Sequence, residues 1–182
     1  AGVFVPADGY LSAARELCNQ YNVLFIADEI QTGLARTGKM LAVDHESVKP
    51  DILVLGKALS GGMYPVSCVL ADDAVMLTIK PGEHGSTYGG NPIAAALAIE
   101  ALEIIKNEKL AENAEKMGQI FRNEMKAIQS EMIVEVRGKG LLNAVTIKPK
   151  ENKTAWDVCL AMKEKGILAK PTHGDIIRFT PP

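Results

Sequence analysis

The chain has 182 residues, 47% of them apolar and 23% charged, with a net charge of -2. That is the composition of an ordinary globular domain, or of a piece of a larger one. The near-neutral charge, without blocks of like sign, argues against nucleic acid or an anionic membrane as the main partner.

In chain order, Asp8 is placed to cap a helix over Tyr10 to Gln20, with Leu11, Ala14, Leu17 and Cys18 on one face. The run VLFIA at Val23 to Ala27 predicts a strand buried on both faces, as in a sheet covered by helices. Ile52 to Leu55 and Val66 to Leu70 repeat that pattern between glycine-rich turns. Pro92 suits a first helical position, and Ile93 to Lys106 predicts the helix that follows. A second helix is expected over Leu110 to Ile128, its stripe formed by Leu110, Ala114, Met117, Phe121, Met125 and Ile128. Strands are expected at Ile133 to Val136 and Leu141 to Ile147, across an Arg137-Gly138-Lys139-Gly140 turn. Trp156 to Lys165 reads as a helix closed by Gly166, and Ile167 to Lys170 and Ile176 to Thr180 as short strands. The division is residues 1–95 as part of an α/β domain, 96–127 as connecting helices, and 128–182 as a smaller α+β unit.

Cys18, Cys68 and Cys159 are scattered and odd in number. They are expected to be free, buried thiols of a reducing compartment. No apolar run reaches bilayer length, and no signal or transit peptide is visible. The chain begins without Met and stops just after an expected strand, so both ends are expected to be cuts in a longer protein.

Three places carry chemistry. Asp28 ends an expected buried strand, where ligands of open α/β sheets bind, and either meets a cationic ligand group or caps a turn. Lys57 follows ILVLG directly. Either burial favours its neutral amine, as covalent catalysis requires, or it snorkels out of a turn. A Walker-type loop does not fit, because Ala58 stands where Ser or Thr is needed. In Gly82 to Pro92, glycines flank Ser86 and Thr87 ahead of a helix start, where an anion is favoured. The other reading is a plain capped loop. Arg178 lies in the expected strand Ile176 to Thr180 and needs an anionic partner there. His45, His84 and His173 are scattered and form no metal constellation.

The segments DEIQTGLARTGK at 28–39, PDILVLGKALSGGMYPVS at 50–67 and KPGEHGSTYGGNP at 80–92 are similar to consecutive signatures of one family. RGKGLL at 137–142 and KPTHGDIIRFTPP at 170–182 continue the match. The chain resembles the class III, fold-type-I aminotransferases, which depend on pyridoxal phosphate. The resemblance implies part of the large cofactor domain, a mostly parallel sheet with helices on both faces, plus part of the small C-terminal domain. It implies that Lys57 bonds covalently to pyridoxal 5'-phosphate and shuttles the substrate proton. It further implies that Asp28 pairs with the ring nitrogen, Gln31 hydrogen-bonds near the phenolic oxygen and Ile30 packs on the ring. Ser86 and Thr87 would reach across a homodimer interface to the neighbour's cofactor, and Arg178 would take a substrate carboxylate. The expected activity is transfer of the δ-amino group of L-ornithine to 2-oxoglutarate, in the mitochondrial matrix or cytoplasm. Acetylornithine or 4-aminobutyrate as the donor, or a catalytically silent homologue, are the alternatives. The family's stacking aromatic, its near-side phosphate loop and a glutamate ahead of Ala1 lie outside these residues, so this length alone is not expected to be active.

Overall fold

The computed structural model describes residues 2–150 and 152–182. They divide into two compact units, Ala7–Ala111 and Ala1–Pro6 with Glu112–Pro182.

In the first unit, α1 (Tyr10–Gln20) starts where expected, but not on Asp8. Gly9 holds the cap position in a left-handed conformation at φ 85°, and no side chain caps the helix. The half-buried face is Leu11, Ala14, Arg15 and Cys18, while Leu17 is exposed. Arg15 turns inward because it ion-pairs with Asp51. The Phe25 N–H and then Arg15 hold the Asp51 carboxyl below the usual carboxylate range.

Strands β1 (Ile26–Asp28), β2 (Ile52–Leu55) and β3 (Cys68–Ala71) form one mixed sheet. β1 and β2 run parallel, with Asp28 opposite Val54, and β3 joins β2 antiparallel. Ala27, Leu53, Leu55 and Cys68 share one face and meet two adjoining apolar clusters, around Val43 and Val48 and around Leu34, Leu59 and Ile105. The opposite face is open, with Ile26 57% and Val69 54% exposed. Val23 and Leu24, ahead of β1, are exposed as well. The VLFIA run was expected to be covered on both sides; here it is covered on one.

A short α2 (Asp73–Met76) follows β3. Then α3 (Pro92–Asn107) begins with Pro in its first turn, and the Asn91 side chain accepts from the Ala94 N–H at 2.9 Å. Ala94, Ala101 and Ile105 are its buried residues. Helix α3 packs on the 3-10 turn Lys57–Ser60.

Most of α4 (Leu110–Ala127) belongs to the second unit. Its buried residues are Ala114, Gly118 and Arg122, while Met117 and Ile128 of the expected stripe are exposed. A Cβ on Gly118 would stand 1.7 Å from the Gly140 carbonyl oxygen, so only glycine permits this approach. Arg122 donates to that same oxygen at 3.0 Å and to Asn143 Oδ1 at 2.9 Å. The buried guanidinium is thereby satisfied.

Strands β4 (Ile133–Lys139), β5 (Leu142–Ile147), β6 (Lys170–Thr172) and β7 (Ile176–Phe179) form an antiparallel sheet in the order β4-β5-β7-β6. The expected Arg137 to Gly140 turn is shorter. β4 continues to Lys139, and the chain reverses at Gly140 and Leu141. Helix α5 (Ala155–Lys163) packs near β6 and β7, and Val145, Ile147, Ala155, Cys159 and Ile177 form the core beneath it. β6 starts at Lys170 instead of Ile167. Gly166, at φ 82°, ends the helix, and the Ile167 N–H turns back to the Met162 carbonyl at 3.0 Å.

All three cysteines are free, as expected. Only Cys159 is fully buried, while Cys18 and Cys68 are half-buried. Burial pushes the Cys68 and Cys159 thiols up, away from the reactive thiolate form. Among the described residues, no helix is long and apolar enough to cross a membrane.

Candidate active site

Parallel pairing brings two carboxyl ends together. Asp28 is the last residue of β1, opposite Val54, and Lys57 stands two residues beyond the end of β2. Alternation along β1 turns Ala27 and Glu29 inward and Asp28 onto the open face. Asp28 Oδ1 accepts the Ile30 N–H at 3.1 Å. No other hydrogen bond or ion pair involves the Asp28 carboxylate among the described residues.

Lys57 opens the 3-10 turn with φ 48°, a left-handed conformation unusual for a side chain of its size. Gly56 before it packs near Ile30 and Ser67. Leu59 and Ser60 anchor the turn in the interior, and the Ser60 Oγ accepts the Tyr64 N–H at 3.3 Å. A hollow of about 380 Å³ lies here, lined by Lys57, Tyr64, Pro65, Val66 and Ser67. Of the two readings of Lys57, burial or a lysine snorkelling out of a turn, the second describes this chain: its side chain is exposed and takes no partner among the described residues. The strand ends before the lysine, and the following turn carries it outward.

After β1 the chain folds into a compact loop. Ile30 and Gln31 are half-buried, and Leu34 and Ala35, both buried, have φ values of 56° and 73°. Glu29, beside Asp28, is only 3% exposed. The sequence reading gave it no role.

Ser86 and Thr87 are exposed on the 80–90 segment. Ser86 Oγ accepts the Gly89 N–H at 2.8 Å, so that hydroxyl already organises its own turn. The Asn91 side chain caps the start of α3 through the Ala94 N–H, and the loop presents the Thr87 hydroxyl. His84 is exposed, and His45 contacts Thr37. Among the described residues no three potential ligands cluster to hold a metal.

Arg178 lies in the other unit. It pairs across the sheet with Ala144 and Lys170, and Ala144 pairs with Arg137. Arg137 is committed to the Gly2 and Val3 carbonyls at 2.7 and 2.8 Å and to Glu135. Half-buried Arg178, expected to need an anion, makes no ion pair among the described residues. It is therefore available to an incoming carboxylate, which a guanidinium binds with two parallel hydrogen bonds.

Comparison with known proteins adds the following. The family model described as aminotransferase class-III matches residues 1–182. The "Ornithine aminotransferase, mitochondrial" of Drosophila melanogaster is 68% identical over all of this chain, which spans 42% of that relative's length. A crystal structure of an acetylornithine aminotransferase from Elizabethkingia anophelis superposes with a TM-score of 0.94 at 59% identity, covering 98% of this chain and 45% of that one. An ornithine aminotransferase from Toxoplasma gondii, described as having partial occupancy of PLP at its active site, also gives 0.94, at 52% identity, with 98% and 43% covered. The chain thus spans about two fifths of the length of the relatives it matches.

Proposed function

We propose, because this chain belongs to the class-III aminotransferase family, that it is the lysine-bearing part of an enzyme moving the δ-amino group of L-ornithine to 2-oxoglutarate. The products would be glutamate semialdehyde and glutamate. The observation that carries this reading is the placement of Asp28 and Lys57 at adjoining carboxyl ends of the parallel pair β1 and β2. The fold is that of the fold-type-I enzymes. We assign residues 1–95 to their large domain, apart from Ala1–Pro6, which group with the second unit, 96–127 to the connecting helices and 128–182 to the small domain.

The residues present fit pyridoxal 5'-phosphate. The set combines an exposed primary amine beside a hollow, an exposed carboxylate at the adjoining strand end, and an exposed hydroxyl loop. When bound, that cofactor supplies an electron sink for carbanion chemistry. Asp28 holds a negative charge that favours a protonated ring nitrogen. Lys57 provides the amine for covalent attachment, then accepts and returns a proton at the substrate carbon. Gln31 offers its amide to the phenolic oxygen, and Ile30 an apolar surface to the ring. Arg178 takes a carboxylate of glutamate or 2-oxoglutarate. The 68% identity to an ornithine enzyme supports the δ-amino donor; the likeness to an acetylornithine enzyme keeps that donor as the second reading. We assign the parent protein to the mitochondrial matrix or the cytoplasm; the fly relative's name, which carries the word mitochondrial, supports the first.

The full-length protein, given 2-oxoglutarate, is expected to consume L-ornithine at least about tenfold faster, in kcat/KM, than N-acetylornithine or 4-aminobutyrate. That difference corresponds to about 1.4 kcal/mol in transition-state binding. Preference for acetylornithine replaces the first reading by the second, and no transamination of any donor removes both.

Ser86 and Thr87 are read as acting in trans, so the parent is at least a homodimer. A Lys57→Ala protein and a Thr87→Ala protein, each impaired alone, are expected to recover activity when mixed and allowed to exchange subunits. One site of the mixed dimer then holds both wild-type residues. No recovery after verified exchange would assign Thr87 to its own subunit's site.

A further inference from the structure

We propose that Glu29 is a positioning residue for the cofactor site: its buried carboxylate bolts the loop after β1 to the 3-10 turn at Val43 and thereby fixes where Asp28 and Gln31 point. The proposal rests on the reading above, which assigns Asp28 and Gln31 to the cofactor.

Glu29 is 3% exposed, in a chain where most carboxylates are in water. Burying an ionised carboxylate is costly unless its oxygens are satisfied. Both are. Oε1 accepts the Val43 N–H at 2.9 Å, and Oε2 accepts the Thr32 hydroxyl at 2.5 Å. The backbone is held as well: the Glu29 N–H donates to the Val54 carbonyl at 2.9 Å, and its carbonyl accepts the Gly33 N–H at 2.9 Å. Four hydrogen bonds therefore converge on one residue, from β2, from the loop itself and from the 3-10 helix Ala42–His45.

The consequence follows from strand alternation. Glu29 continues the inward side of β1 set by Ala27, so Asp28 must take the outward side. β1 has only three residues, too few to fix its own rotation. The Glu29 anchor supplies that constraint. It also closes the turn carrying Ile30 and Gln31: a Cβ on Gly33 would lie 2.9 Å from the Glu29 carbonyl oxygen, so the loop is packed against this residue's own backbone. Releasing the carboxylate would let Asp28 and Gln31 drift together, although Glu29 itself faces away from the open side.

The test uses the full-length protein, with pyridoxal phosphate as the probe. Three quantities are read: the dissociation constant of the cofactor, the visible circular dichroism of the bound cofactor per unit absorbance, and the urea midpoint of the apoprotein. Glu29→Ala is expected to weaken cofactor binding at least about tenfold and to cut the dichroism to less than about half. Glu29→Gln, whose amide can still accept from Val43 and donate to Thr32, is expected to keep both within about twofold. Should Glu29→Ala fail to fold, Thr32→Val decides: it removes one of the two side-chain bonds and is expected to weaken cofactor binding about threefold or more. A Glu29→Ala protein with a lower urea midpoint but unchanged affinity and dichroism would overturn the proposal, leaving Glu29 purely structural. Loss in Glu29→Gln equal to that in Glu29→Ala would overturn it too, because charge and not anchoring would then matter. Unchanged affinity in Thr32→Val, where Glu29→Ala does not fold, has the same meaning. If the wild-type protein binds no cofactor, the functional reading falls and takes this one with it; if it binds and the variants do not differ, this one falls alone.

Discussion

Borohydride reduction of the full-length protein loaded with pyridoxal phosphate places the pyridoxyl adduct on Lys57, and Lys57→Ala lowers turnover by at least about 10⁴-fold; these are the expected results. The amine has two duties in the proposed reaction, as the point of attachment and as the proton carrier at the substrate carbon. Acid–base catalysis alone accounts for about 10²–10⁴ in rate, and loss of the attachment adds to that. The geometry favours this lysine over others. It is held at the carboxyl end of β2 by a buried turn, with its side chain beside the Tyr64 and Ser67 hollow. Lys39, by contrast, stands at the end of the loop that follows β1 and does not line that hollow. Lys57→Arg is expected to be as inactive as Lys57→Ala, because a guanidinium keeps the charge but offers no neutral amine. Peptide mapping that finds the adduct on another lysine sinks the assignment.

Asp28→Asn is expected to leave labelling of Lys57 intact while lowering turnover about a thousandfold. Opposite unit charges at 4 Å attract by about 4 kcal/mol at an effective dielectric of 20, but only by about 1 kcal/mol in bulk water. About 4 kcal/mol is close to three decades of rate. In the residues described here Asp28 faces an open side of the sheet, where the smaller figure applies. The thousandfold loss therefore requires that the remainder of the full-length protein close this side against water. A loss below about tenfold means either that the site stays wet or that Asp28 does not meet the ring nitrogen. Steady-state kcat measured on Asp28→Asn with full cofactor occupancy decides, and a near wild-type value ends the role.

What the sequence showed depended on whether a signal was local. ILVL followed by Gly56 and Lys57 was legible because a short apolar run and a glycine mark a strand and its end. Pro92 marked the start of α3 in the same way. Glu29 was not legible as an anchor, because two adjacent acids look equivalent until strand alternation assigns them to opposite faces. Extending the inward side of β1 from Ala27 by two positions would have found it. Gly118 and Arg122 were missed for a related reason. They lie on the buried side of α4, but neither counts as apolar, and what they meet is the backbone of Gly140, 22 residues from Gly118 and 18 from Arg122. The two-sided burial expected for Val23 to Ala27 requires covering elements that these residues do not include. Lys57 stayed open between burial and exposure because the sequence does not show the outward turn at φ 48° that decides it.

The consecutive left-handed residues Leu34 and Ala35 have a consequence for how the molecule assembles. A side-chain-bearing residue in that conformation costs about 1–2 kcal/mol, so the pair opposes loop formation in the isolated segment. Both residues are buried against Leu55, Leu59 and Ile105, and it is this burial that pulls them into place. The loop therefore does not hold this conformation on its own; the β2 and α3 residues that cover it hold it there. The segment that follows Asp28 and Gln31 is only as firm as that core. In this chain the conformation of the loop after β1 and the integrity of the hydrophobic interior are tied together.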